Sequence, residues 1–194
     1  MSRLDRLGDA KAIAQRGAVL GRTFSQDLMR AVVETTAHDE AEKAEAWLRA
    51  QQCLTQLVGA GLLRRRRTGQ TTYEFKHALI QDAAYESLLK RTRREYNRET
   101  ARVLEARFPQ VVETQPELLA HHYTEALDFE KALDYWQKAG ERCRDRSANR
   151  EAVRHFAEAL KVLEALPEGK ARDERELTLR IGSITPIIAV HGYV

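Results

Sequence analysis

The chain has 194 residues, of which 43% are hydrophobic and 31% charged, and its net charge is +3. That length holds one large domain or two small ones, and that balance is ordinary for a soluble, helix-rich protein. No apolar run approaches the roughly 20 residues needed to cross a membrane, and residues 1–6 lack the apolar core of a signal peptide, so a cytoplasmic protein without membrane contact is expected.

Cys53 and Cys143 have no CxxC spacing and read as free or buried thiols of a reducing compartment. The positive charge is local. Residues 62–107 hold 12 Lys and Arg against 6 Asp and Glu, whereas residues 113–194 hold 12 against 15. The middle segment is therefore the part suited to phosphate or to an acidic partner.

In chain order, residues 3–19 read as a helix, with Leu4, Leu7, Ala10, Ile13, Ala14 and Ala18 at helical spacing and Gly21 as its stop. Ser25 is placed to cap a short second helix with Leu28, Ala31 and Val32 on one face. Asp39 opens a long third helix to about Ala60, with Ala44, Trp47, Leu48, Cys53, Leu54, Leu57 and Val58 as its apolar stripe and Gly61 as its end. The period then changes. Leu62 to Gln70 and Thr71 to Phe75 are two short β-prone runs about a turn containing Gly69, which predicts a hairpin. Three helices followed by such a hairpin is a winged-helix order. Two further helices are expected at about 77–90 and 92–107, and Phe108-Pro109 opens a linker over 108–115.

The second half repeats itself. Phe129 to Ala139 aligns with Asn149 to Ala159, both reading Ala, apolar, any residue, two aromatics, two residues, Ala, with His155 counted as aromatic. Small residues let helices approach and aromatics fill the neighbouring gap, which is the logic of tetratricopeptide helix pairs. Residues 118–126 would be the first helix, and residues 140–147 a short helix or a continuation of its predecessor. Tyr135, Trp136, His155 and Phe156 are expected to be packing residues. A charged helix start at 172–180 runs into a largely apolar 181–194 with no polar cap, as expected of a piece of a longer repeat protein. The fold expected is mainly α, with a winged-helix domain and trailing helices over 1–107, the linker 108–115 and tetratricopeptide-like repeats over 116–194.

Little in the chain suggests chemistry. No GxxxxGK[ST] loop is present, so the chain by itself does not cradle a triphosphate. No Ser-His-Asp, Cys-His or paired-carboxylate arrangement is defensible, and the acids are spread as on solvated helix faces. His121 and His122 are adjacent, so they point to different helix faces and do not make a metal site. Arg64, Arg65, Arg66 and Arg67 would give salt-sensitive backbone contacts if the hairpin met nucleic acid. The third helix argues against base reading, since it presents Glu40, Glu42 and Glu45 with only Lys43 and Arg49 as bases. A solvated hairpin is the favoured reading there. A charged, solvated helix junction is likewise favoured for Lys90 to Arg94. The most informative stretch is Tyr73 to Leu89, a strand running into a helix with Lys76 and His77 at the junction. A helix N-terminus carries free N–H groups and partial positive charge, which suits an anion such as phosphate.

Four segments carry a resemblance: Ala18 to Phe24, Leu57 to Leu63, Tyr73 to Leu89 and Pro116 to Tyr123. On these the chain resembles the region that follows the nucleotide-binding domain in bacterial STAND-type ATPases of the AAA class, a region often found with adenylate/guanylate cyclase or LuxR-type DNA-binding domains. In that family the winged helix folds back on the nucleotide, and a histidine at the start of one of its helices touches the β-phosphate of ADP in the closed, inactive state. Phe75-Lys76-His77-Ala78-Leu79 resembles that motif, which implies a nucleotide-sensing role for His77 and a weaker one for Lys76. The resemblance further implies ATP or ADP with magnesium in the longer protein and a nucleotide-binding domain in cis or in trans. A protein partner on the repeats is the other implication. The P-loop, its acidic magnesium partner and any cyclase domain are absent from this sequence, so the chain itself is expected to hold no cofactor and to be non-catalytic. A winged-helix transcriptional regulator that binds DNA and a freestanding tetratricopeptide adaptor are the alternatives.

Overall fold

The computed structural model of the chain describes residues 8–192. Among them it is mainly α, with ten α-helices and a three-stranded antiparallel sheet. The chain splits into two compact units between Val103 and Leu104.

In the first unit α1, Ala10–Leu20, starts later than the expected residue 3, after Gly8 at φ 52°. Leu4 and Leu7 lie outside the described residues. β1, Thr23–Ser25, leads into α2, Gln26–Val33, and a short 3-10 turn, Glu34–Thr36, precedes α3, Glu40–Gly59. Both expected caps form. The Ser25 hydroxyl accepts from the Leu28 N–H at 3.1 Å, and the Asp39 carboxylate accepts from the Glu42 N–H at 2.8 Å. Each occupies a first-turn donor that helical geometry leaves open. Asp39→Ala is expected to cost about 1 kcal/mol of unfolding free energy, read by urea denaturation; no change in midpoint would show that water replaces the cap without loss.

The apolar stripe of α3 is narrower than expected and gains Ala50. Trp47, Ala50, Leu54 and Leu57 are buried, while Ala44 is exposed and Leu48 is 55% exposed. The hairpin forms as β2, Leu63–Thr68, and β3, Gln70–Phe75, turning at Gly69 with φ 79°. The hairpin is joined by a third strand. β1 pairs antiparallel with β3, opposing Phe24 to Tyr73, so the strand order is β1-β3-β2. In this unit α1, α2 and α3 precede the hairpin.

Phe24 explains the third strand. Its ring stacks on Tyr73 at 5.8 Å and tilts against Phe75 at 6.2 Å, all three buried. Gly17 of α1 permits this approach, because a Cβ there would lie 2.9 Å from the Phe24 ring. α4, Ala78–Glu86, packs on α1. α5, Lys90–Arg107, follows, and the division between the units falls inside it. Its Glu99 forms a 2.7 Å ion pair with Arg16 and also accepts the Thr35 hydroxyl.

The second unit is helical throughout its described residues. Residues 108–115, read as a linker, hold the short helix α6, Pro109–Thr114. α7, Pro116–Glu125, α8, Phe129–Asp145, α9, Asn149–Leu163, and α10, Lys170–His191, then pack successively, with α8 against both α7 and α9 and α10 against α9. Residues 140–145 continue α8, as one of the two expectations had it. The turns into α8 and α9 share one geometry: Leu127 and Ser147 take φ of 58° and 59°, and the following N–H donates back to Tyr123 and Cys143 at 2.9 Å in both. The 20-residue sequence match therefore relates α8 to α9. The spacing between equivalent first helices, from Pro116 to Asn149, is 33 residues, close to the roughly 34 of a tetratricopeptide repeat.

Phe156 of α9 fills the gap between helices, 1% exposed, facing Gly140 of α8 and Gly182 of α10. α10 buries Leu179, Ser183 and Pro186 and exposes Leu177, Ile181, Ile184 and Ile187.

Candidate functional site

The strand-to-helix junction of the first unit is built by the hairpin. The Lys76 N–H donates to the Leu62 carbonyl at 3.0 Å, closing the strand, and the chain then turns at His77, which caps α4 in an extended conformation with φ −135°. Its carbonyl accepts from the Ile80 N–H at 3.0 Å, but its imidazole makes no capping hydrogen bond. Lys76 and His77 are both exposed, beside Leu79 at 80% exposure. The imidazole is thus at the helix start, as the motif suggested, and faces solvent instead of packing. No acidic residue stands in the first turn of α4, which leaves the terminal positive charge of the helix uncompensated there.

The arginines of the wing are exposed and fall on alternate faces of β2. Arg66 forms a 2.7 Å ion pair with Glu74 on the neighbouring strand, and the Arg65 guanidinium lies 6.0 Å from the Tyr73 ring centroid. On α3 the bases are engaged by their own helix, Lys43 by Glu40 and Arg49 by Glu45. The run Lys90 to Arg94 also has local partners. Arg91 pairs with Glu95 at 2.9 Å, and Arg93 donates to the Tyr85 carbonyl at 3.3 Å while its guanidinium lies 4.4 Å over the Tyr85 ring. A cation at the C-terminal carbonyls of a helix interacts favourably with its dipole, so Arg93 supports the C-terminal end of α4.

Two features of the second unit were not visible in the sequence. The first is a polar cluster around Glu105. Its carboxylate accepts from Tyr135 and Lys131, each at 2.8 Å, and from the Tyr123 hydroxyl. Burial acts to raise the Glu105 pKa, but these hydrogen bonds and the Lys131 charge outweigh it and lower it. Tyr123 and Tyr135 stack at 5.7 Å. The residues come from three separate helices, so no local spacing announces them.

The second is a groove of about 350 Å³ between α7, α8 and α9, lined by Gln115, Leu118, His121, Trp136 and His155 together with charged side chains. Trp136 is half-buried, donates from its indole N–H to the Thr124 hydroxyl at 3.0 Å and stacks against His155 at 5.5 Å. His155 is a core residue as expected, at 5% exposure, but Tyr135 and Trp136 keep part of their surface open. His122 is buried at 1% exposure while His121 is exposed, so the two do fall on different faces. Among the described residues no group of three His, Cys, Asp or Glu is placed to hold a metal, and no helix is long and apolar enough to cross a membrane.

Comparison with known proteins adds little to the chemistry. No family model matches the chain, and no solved structure does. The chain is similar to the "Uncharacterized protein R02095" of Rhizobium meliloti (strain 1021), 29% identical over 188 residues. That match covers 96% of this chain and 17% of the relative, so the chain spans about a sixth of that protein's length.

Proposed function

We propose that this chain is a regulatory and protein-interaction region of a STAND-type signalling ATPase, of the kind associated with nucleotide cyclase or transcriptional-regulator domains, and that it performs no chemistry itself. The winged helix relays the nucleotide state of a neighbouring ATPase domain, and the helical repeats take a protein partner. The observation that supports this reading most is the setting of His77. It stands exposed at the start of α4 beside exposed Lys76, and its imidazole makes no capping bond. That is where a phosphate oxygen of a bound nucleotide would meet both an imidazole and free helix N–H groups.

The purified chain, given ATP and magnesium, is expected to release neither phosphate nor cyclic nucleotide. Turnover that disappears in His77→Ala would overturn the reading. In a longer polypeptide that joins an ATPase domain to this region, His77→Ala is expected to weaken ADP retention by about tenfold, the loss of one charge-assisted hydrogen bond, and unchanged retention would remove His77 from the sensing role.

One observation favours a second reading as a DNA-binding winged helix: Arg64, Arg65, Arg66 and Arg67 are all exposed on one hairpin strand. It requires tight duplex binding with a steep salt dependence, weakened by replacing those arginines. The acidic first turn of α3 and the engagement of Lys43 and Arg49 by Glu40 and Glu45 weigh against it.

A further inference from the structure

α10 has two apolar faces, and its own unit covers one of them. The covered side carries Leu179, Ser183 and Pro186, and Gly182 faces the Phe156 ring of α9. On the opposite side Leu177, Ile181 and Ile184 are each more than half exposed. A helix that borders solvent normally places charge there, but from Ile181 to Val190 the sequence has no charged residue. A contiguous exposed row of large aliphatic side chains marks an interaction surface, unlike single exposed leucines scattered over a protein.

The row has a definite period. Glu174, Leu177, Ile181, Ile184, Ile188 and His191 follow one another in steps of three, four, three, four and three residues; Ile188 is half-buried and the others are exposed. That alternation is the spacing of a coiled-coil seam, in which the side chains of one helix enter the holes of another. At 1.5 Å per residue the seam is about 26 Å long.

The row also reads the same from either end. An interface about a two-fold axis requires this property, because one patch meets itself. Turned end for end on a second copy, Leu177 falls on Ile188, Ile181 on Ile184 and Glu174 on His191. Laid parallel, the same row sets Glu174 on Glu174 and His191 on His191. Charge therefore separates the two directions. The antiparallel one gives each carboxylate an imidazole donor, and the parallel one sets carboxylate against carboxylate. Glu174 also meets Lys170 of its own helix at 3.7 Å, with both side chains well exposed, and a carboxylate has acceptor sites for both partners.

We propose that α10 pairs antiparallel with α10 of a second copy of this chain, through the row from Glu174 to His191. This pairing lies within the repeat unit and is independent of nucleotide sensing by His77.

The test is sedimentation velocity of the full chain from micromolar to submillimolar concentration. A monomer–dimer equilibrium is expected. Its dissociation constant should rise by about 100-fold or more in Ile181→Glu/Ile184→Glu, which puts carboxylates in the middle of an apolar seam. Both positions are exposed in the single chain, so the variant should melt as the parent does where both are monomeric. Disulfide trapping, with Cys53 and Cys143 replaced by alanine, is a second reading that does not depend on that variant. A mixture of Leu177→Cys and Ile188→Cys chains should form the mixed disulfide in preference to either homodimer. Homodimeric disulfides in preference to the mixed one would show a parallel seam and overturn the antiparallel assignment. A chain that stays monomeric throughout, or a dimer indifferent to the two glutamates, would overturn the pairing and leave the row to a helix of another kind of partner.

Discussion

Phe156→Ala is expected to remove about 3–5 kcal/mol from the stability of the repeat unit, the usual cost of emptying a buried aromatic site. The ring is 1% exposed and central to the packing of three helices. A Cβ placed on Gly140 would stand 2.9 Å from it, and one placed on Gly182 would stand 3.0 Å from it. Two helices therefore approach the ring through glycine, and neither neighbour has a side chain able to swing into the vacated space. A domain of about 90 residues has roughly 5–13 kcal/mol in total, and about 1 kcal/mol shifts its midpoint by 4–8 °C. A fall of about 15 °C or more in the melting temperature of this unit is the expected reading. The chain has two tryptophans, Trp47 in the first unit and Trp136 in the second, so Trp136 fluorescence in a Trp47→Phe background reports on the repeat unit. The reverse change tests the same contact. Gly140→Val forces side-chain atoms against the Phe156 ring and is expected to cost about 1–3 kcal/mol. A loss below about 1 kcal/mol for Phe156→Ala would mean that α8 and α10 close over the gap.

Acid should destabilise the same unit well above the range in which carboxylates titrate. Burial, aided by the neighbouring His121, pushes the His122 pKa down from 6.5 to about 3. The unfolded chain binds a proton at this ring as the pH falls through 6.5, and the folded chain does not until about pH 3. Between those values the unfolded state holds more protons, so stability falls as the pH falls. The full span corresponds to an effect on the order of 5 kcal/mol, with a slope approaching about 1.4 kcal/mol per pH unit. His155, also lowered by burial, contributes with the same sign. Glu105, whose pKa is lowered from 4.5, loses its stabilising contribution only at lower pH, as acid protonates it in the folded state. The interval from about pH 6.5 to about pH 5 therefore isolates the histidines. Urea midpoints are expected to drop across it, and His122→Leu is expected to flatten the dependence whatever it does to stability at neutral pH. An unchanged slope in that variant would show that His122 is solvated or charged in the folded unit.

Parts of this molecule that depend on near neighbours in the chain could be read directly. Ser25 and Asp39 cap their helices because each carboxylate or hydroxyl reaches an N–H three residues on, a contact set by local geometry alone. The turn at Gly69 and the break in period after Gly61 are of the same kind. The strand-to-helix junction at Lys76 and His77 was legible for that reason, as was the helical character of residues 116–163.

What depended on distant residues was not legible. β1 is three residues long, too short for an alternating pattern, and it is a strand through its backbone pairing with β3, where Phe24 also stacks on Tyr73. Leu48 matched the apolar stripe of α3 yet is 55% exposed, because the neighbours of that helix cover a face turned toward Ala50. The 20-residue match suggested one repeat period, while the packing pairs α7 with α8 ahead of α9 and sets another. The groove draws Glu117, Trp136 and His155 from three helices, and no spacing rule connects them. The sequence by itself determined most of the helices, because capping and periodicity act within a turn or two; it missed α6, Pro109–Thr114, in the segment read as a linker. Only the tertiary structure decided which faces are buried, that a third strand exists and where the groove lies, because those follow from side-chain volumes and charges brought together across the chain.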